Sequence, residues 1–171
     1  MENLNTFAPG SALDQITGLH SRHQFFCWAE PLVRDQLPYA VLVLNLEHFK
    51  QITDTGGYDA GDIALALVAD VLRASLRNCD IAARLDRDEF VIGLWQATQG
   101  YAQAVALRIH SVLANQSISF LDRTIRCTVH IGVAASFPDL EAGMAGVANR
   151  ADEALARARQ SGRGQAVLAG A

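Results

Sequence analysis

Apolar and polar positions follow two rhythms along this chain. "YAVLVLNLEHF" (39–49) is an almost unbroken run of β formers, the pattern of a strand covered on both faces. "DAGDIALALVADVLRASLR" (59–77) instead spaces Ile63, Leu65, Leu67, Val68, Val71, Leu72 and Leu76 along one side of a long helix. "SRHQFFCWAEPLVRDQ" (21–36) predicts a helix capped by Ser21, with Pro31 kinking it or opening a second turn. "IAARL" (81–85) and "EFVIGLW" (89–95) read as two strands of a hairpin. A helix follows over 101–116. "SISFL" and "TIRCTVHIGVAAS" then predict a second hairpin turning at Asp122-Arg123. Residues 143–162 predict a helix ended by Gly162, and "GQAVL" a last short strand. The order is α, β, α, β, β, α, β, β, α, β. It suits an α/β domain with one central, mostly antiparallel sheet flanked by helices.

Length and composition narrow this further. A chain of 171 residues, half of them apolar, is enough for one domain with its own core. Residues 1–13 read as a tail or linker, and 14–171 as a single domain excised from a longer multidomain protein. The net charge of −4 speaks against nucleic acid, which needs a concentrated basic face. Cys27, Cys79 and Cys127 are far apart, with no CxxC pair, and fit free thiols in a reducing cytosol. The start lacks the basic and apolar regions of a signal peptide, and no apolar run approaches the roughly 20 residues of a membrane helix. The expectation is a cytoplasmic domain with no membrane span.

Charge gathers at two places that this element order brings together. One is the end of the first long strand, "LNLEHFK"; the other is the hairpin tip in "RLDRDEFVIG". Carboxylates at adjacent strand ends can hold hard cations such as Mg2+. Between them lies the glycine-rich "TGGYDAGD", whose backbone N–H groups suit a phosphate, while Asp62 can accept from a base edge.

In this order the segments resemble the GGDEF domain of the diguanylate cyclase family. "DQITGLHSRHQFF" is similar to the family's D-x-L-T-G-L-x-N-R-x-x-F. "LVLNLEHFKQITDTGGYDAGDIAL" follows L-D-I-D-x-F-K-x-I-N-D-x-x-G-H-x-x-G-D-x-x-L without a gap, and "RLDRDEF" stands for R-L-G-G-D-E-F. "TVHIGVA" and "ADEALARARQSGRGQ" match two further blocks. The resemblance covers nearly all of residues 14–168 and implies a five-stranded sheet similar to the palm of nucleotidyl cyclases. It also implies condensation of two GTP into cyclic di-GMP, with Mg2+ or Mn2+, by two domains meeting as a homodimer.

Residue by residue, the resemblance assigns metal binding to Asn45, Glu47 and Asp88, and catalysis to Asp88 and Glu89. It assigns nucleotide binding to Lys50, Thr53, Asp62, Leu65, Arg159 and Arg163. The departures matter. Asn45 replaces an acid, so an anionic ligand is lost. Asp86-Arg87 replaces Gly-Gly; a two-residue turn with positive φ at both positions resists Arg87, which either crowds the substrate or forces a different turn. Thr53 replaces an asparagine that reads guanine. The expectation is therefore a degenerate active site that holds no metal tightly.

"RNCD" corresponds to the family's product-binding R-x-x-D, so Arg77 and Asp80 either bind cyclic di-GMP or simply close a helix and open a strand. The function expected is a catalytically inactive regulatory module that binds GTP or cyclic di-GMP and acts on an attached domain such as an EAL phosphodiesterase. A weakly active cyclase and an interaction module without nucleotide binding are the alternatives.

Overall fold

The computed structural model describes residues 13–136, 143–162 and 166–169. The elements run β1 (His20–Ser21), α1 (Arg22–Arg34), β2 (Tyr39–Leu46), α2 (Phe49–Ser75), β3 (Ile81–Arg84) and β4 (Glu89–Trp95). They continue through α3 (Gln99–Ala114), β5 (Ser117–Phe120), β6 (Arg123–Arg126), β7 (Val129–Ala135), α4 (Met144–Gln160) and β8 (Ala166–Leu168). The main sheet has the order β1-β3-β4-β2-β7-β8, and β5-β6 form a separate two-stranded sheet.

β2 is central because its pattern suits burial on both faces. It pairs antiparallel with β4 on one side and β7 on the other. Ala40, Leu42, Leu44 and Leu46 enter one core cluster with Leu65, Val68 and Leu72 of α2 and Val105 and Ile109 of α3. Tyr39, Val41 and Val43 point the other way, into a cluster with Phe25 and Leu32 of α1 and Val147 and Leu155 of α4. A fully buried leucine such as Leu42 contributes about 2 kcal/mol over an exposed one. Among the described residues no helix is long and apolar enough to cross a membrane.

Four expectations need correction. The main sheet has six strands, not five, because the two-residue β1 joins its edge in parallel with β3. The second hairpin turns at Leu121-Asp122, whose φ angles of 45° and 60° are those a two-residue loop demands. The strand expected after it breaks at Cys127-Thr128, so β6 stays with β5 while β7 crosses into the main sheet.

The last correction concerns α2, which starts ten residues early, at Phe49, and bends at Gly57 (φ 78°, ψ 180°). Gly61 acts as a packing notch. A Cβ on Gly61 would lie 2.7 Å from Thr53 Cγ2 and 3.2 Å from the Phe49 ring, so the missing side chain lets the first helical segment close on the second. α1, by contrast, begins on its predicted cap, where the Ser21 hydroxyl accepts from Gln24 N–H, and runs on through Pro31.

Candidate functional site

The site forms where β2, the β3–β4 turn and the start of α2 meet. Asn45 lies in register between Glu89 of β4 and His130 of β7. The turn is not the two-residue loop that the glycine pattern implied. Leu85 N–H donates to Glu89 O at 2.8 Å, leaving Asp86, Arg87 and Asp88 as the loop, and none of the three has positive φ. Arg87 thus escapes strain by a different turn. Arg84 holds that turn in shape. Its Nε donates to Asp86 O (3.1 Å), its Nη2 to Arg87 O (2.6 Å) and its Nη1 to both oxygens of Asp14 (3.1 and 3.2 Å). Desolvation raises the Asp14 carboxyl, but hydrogen bonds from Thr17 and Arg84 outweigh it and hold the group below its ordinary value.

The acids assigned to a metal are already engaged. Asn45 Nδ2 donates to Asp88 Oδ2 at 3.0 Å and approaches Asp88 O at 3.4 Å. Both neighbours are acceptors only, so the amide must present its N–H2 to them. Glu47 is buried, accepts from the Thr128 hydroxyl and lies 3.2 Å from His130 Nε2. That nitrogen is also 2.9 Å from Gly162 O; facing two acceptors, it carries the imidazole proton. A hard divalent cation needs several converging oxygens. Here an amide N–H occupies the space between Asn45 and Asp88, and Glu47 is tied to another strand. Among the described residues no three His, Cys, Asp or Glu side chains are grouped to hold an ion. These residues do not fit Mg2+ or Mn2+.

Beside them is an open cleft of about 500 Å³. Phe49, Lys50, Thr53, Asp54, Gly57 and Tyr58 form one wall, and Arg87 and Asp88 the other. The first six repeat at i, i+1, i+4, i+5, i+8 and i+9, a single stripe of the first segment of α2. Thr53 donates its hydroxyl to Lys50 O at 2.9 Å, so that oxygen can only accept from a ligand.

The other assigned nucleotide residues do not line this cleft. Asp62 is exposed further along α2. Leu65 is 1% exposed within the core, a packing position rather than a ligand contact in this conformation. Arg159 Nη2 faces Glu89 Oε1 at 3.4 Å. Desolvation, then the Glu89 carboxylate, push the nearby Asp152 carboxyl up against the opposing pull of Arg22 and Arg159. Arg163 lies outside the described residues.

Arg77 and Asp80 meet, but face each other. Arg77 donates Nε and Nη2 to the two carboxylate oxygens of Asp80 (3.1 and 2.9 Å), and its own N–H reaches the same group. Trp95 N–H adds a further bond at 3.0 Å, and the Asp80 side chain is 0% exposed. The Arg77 guanidinium lies over the Tyr101 ring, 4.5 Å from its centroid. Asp80 therefore closes the α2–β3 connection from within.

A family profile described as "Diguanylate cyclase, GGDEF domain" matches residues 11–165. The chain belongs to the GGDEF family. Diguanylate cyclase A of Treponema denticola is 37% identical over 129 residues, covering 75% of this chain but 34% of that protein. This GGDEF domain thus spans about a third of that relative's length. The diguanylate cyclase SiaD of Pseudomonas aeruginosa, crystallised with its activator SiaC, is similar at 29% identity with a TM-score of 0.85 over 93% of this chain and 62% of that one. The GGDEF domain of DgcB from Caulobacter crescentus, solved with c-di-GMP, has a TM-score of 0.86 over 96% of this chain and 99% of its own, at 22% identity. That last likeness speaks for the fold alone.

Three residues of the GGDEF domain's site had no part in the sequence assignments. Phe49 was hidden because it read as the end of the strand over 39–49, and Asp54 because no element was assigned to its segment; the helical repeat with Lys50 and Thr53 was the signal available. Arg84 opens the "RLDRDEF" block, but its role did not follow from that, since its partners are turn carbonyls and an aspartate 70 residues away.

Proposed function

We propose that this GGDEF domain binds GTP in the cleft between α2 and the β3–β4 turn without condensing it, and serves as a regulatory module of cyclic di-GMP signalling. The observation that carries the reading is the Asn45 amide donating into Asp88. It puts a hydrogen-bond donor where phosphoryl chemistry requires oxygens around a cation, and such chemistry tolerates little misplacement. The open cleft beside it, with Lys50, Thr53 and Tyr58 on its wall, supports retained binding. Its target is an attached domain, an EAL phosphodiesterase being the proposed kind. The shorter span of this chain against its cyclase relative is compatible with such a neighbour.

Cyclic di-GMP at Arg77 and Asp80 is the weaker arm of the proposal, because every bond Asp80 offers a guanine is already used internally. The deciding experiment incubates the domain with GTP and Mg2+ or Mn2+ and measures cyclic di-GMP, with calorimetric titration of GTP alongside. Binding without product is expected. Steady product formation that Asp88→Ala abolishes would show a working cyclase, and absence of binding would leave an interaction module.

A further inference from the structure

The departures that remove a metal ligand also add a cation. Relative to the family pattern, Asn45 is one unit less negative and Arg87 one unit more positive, while Asp86 restores one negative charge. Asp86 does not line the cleft; its Oδ1 accepts Arg87 N–H at 2.8 Å and it remains part of the turn. Arg87 does line the cleft, opposite Lys50. Among the described residues neither the Lys50 ammonium nor the Arg87 guanidinium has an ion-pair partner. The acidic groups on the cleft are Asp54 and Asp88, and one Asp88 oxygen accepts from the Asn45 amide.

We propose that the cleft holds the phosphates of a nucleoside triphosphate without a divalent cation, with the Arg87 guanidinium and the Lys50 ammonium supplying the countercharge. This rests on reading the cleft as a nucleotide site. The physical case is a substitution of one charge source by another. A divalent ion needs oxygens that converge, and here both Glu47 oxygens and one Asp88 carboxylate oxygen are turned to other partners. A guanidinium needs only phosphate oxygens in its plane, and its fork pairs with two of them at once. The turn presents Arg87 without backbone strain, and the bonds from Arg84 to the Asp86 and Arg87 carbonyls hold the loop in shape. Free Mg2+ then competes with these side chains for the phosphates rather than assisting them. Asp54 and Asp88 keep the cleft from being a general anion trap, so ordinary monoanions bind poorly.

The test titrates the 171-residue domain with GTP in EDTA and again in excess Mg2+, for the wild type, Arg87→Gln and Arg87→Lys. Affinity in EDTA is expected to equal or exceed that in Mg2+ and to fall with added salt. Arg87→Gln is expected to weaken GTP roughly tenfold in EDTA, with Arg87→Lys recovering part of the loss. Thermal melts of the variants should match the wild type, since Arg87 is exposed. Binding that requires Mg2+, or that Arg87→Gln leaves unchanged, overturns the inference while the nucleotide reading stands. Absence of GTP binding in both buffers overturns both.

Discussion

At the scale of single residues, the site is organised by side chains that satisfy one another before any ligand arrives. Asp14 shows the cost of that arrangement in measurable form. Its side chain is 25% exposed and that of its partner Arg84 12%, and its folded value lies below the ordinary 3.8. A depressed carboxyl contributes stability that is present well above 3.8 and is lost as pH falls through the lower folded value. Denaturant unfolding of the wild type and of Asp14→Asn should therefore show a stability gap at pH 7 that closes on acidification below pH 3.8. A gap that is independent of pH would sever Asp14 from this role. Cys127 behaves oppositely: burial pushes its thiol up to about 11, so it is inert as a nucleophile at neutral pH. Asn45 and Arg87 were legible in the sequence because they break a motif at a fixed position. The ties of Glu47 to Thr128 and His130 were not, since they depend on which strand lies beside β2.

At the scale of elements, two glycines separate crowding from backbone conformation. Gly132 on β7 sits under α4, where an added Cβ would meet Ala151 O at 2.0 Å and Leu155 N at 2.4 Å. Backbone cannot move aside as a flexible side chain can, so Gly132→Ala should destabilise the domain by about 3 kcal/mol. Gly57 faces open space, but its φ of 78° and ψ of 180° fall in a region that only glycine occupies comfortably. Gly57→Ala should cost about 1–2 kcal/mol and alter the bend of α2 without touching the core. Denaturation midpoints in urea would rank the two, and equal losses would contradict this separation. The strands and most helices were readable because the continuous apolar run of β2 and the period-3.6 patterns of α1, α3 and α4 survive. The first segment of α2 was not, because glycines used for packing look like glycines used for loops. Only the tertiary contact of Gly61 with Phe49 and Thr53 tells them apart.

At the scale of the whole molecule, the two faces of one sheet carry two apolar clusters that share the strand β2. Neither cluster can dissolve while β2 keeps its hydrogen bonds to β4 and β7, so both should melt together. Heating followed by far- and near-ultraviolet circular dichroism should give superimposable curves; an early loss of the aromatic signal from Trp28 and Trp95 would show one face opening alone. The cleft stands at the end of this sheet and touches one cluster only through Phe49, so its polar residues can change without disturbing either cluster. The architecture was readable from the order of elements, whereas the extra edge strand β1, two residues long, was too short to leave a periodic trace.

The grip of Arg84 on the carbonyls of Asp86 and Arg87 has an evolutionary corollary. A bend secured from the neighbouring strand no longer depends on which side chains ride upon it, so substitutions at its tip are screened by usefulness rather than by foldability. Such a hairpin can drift away from one chemistry and toward another while the protein beneath it stays intact.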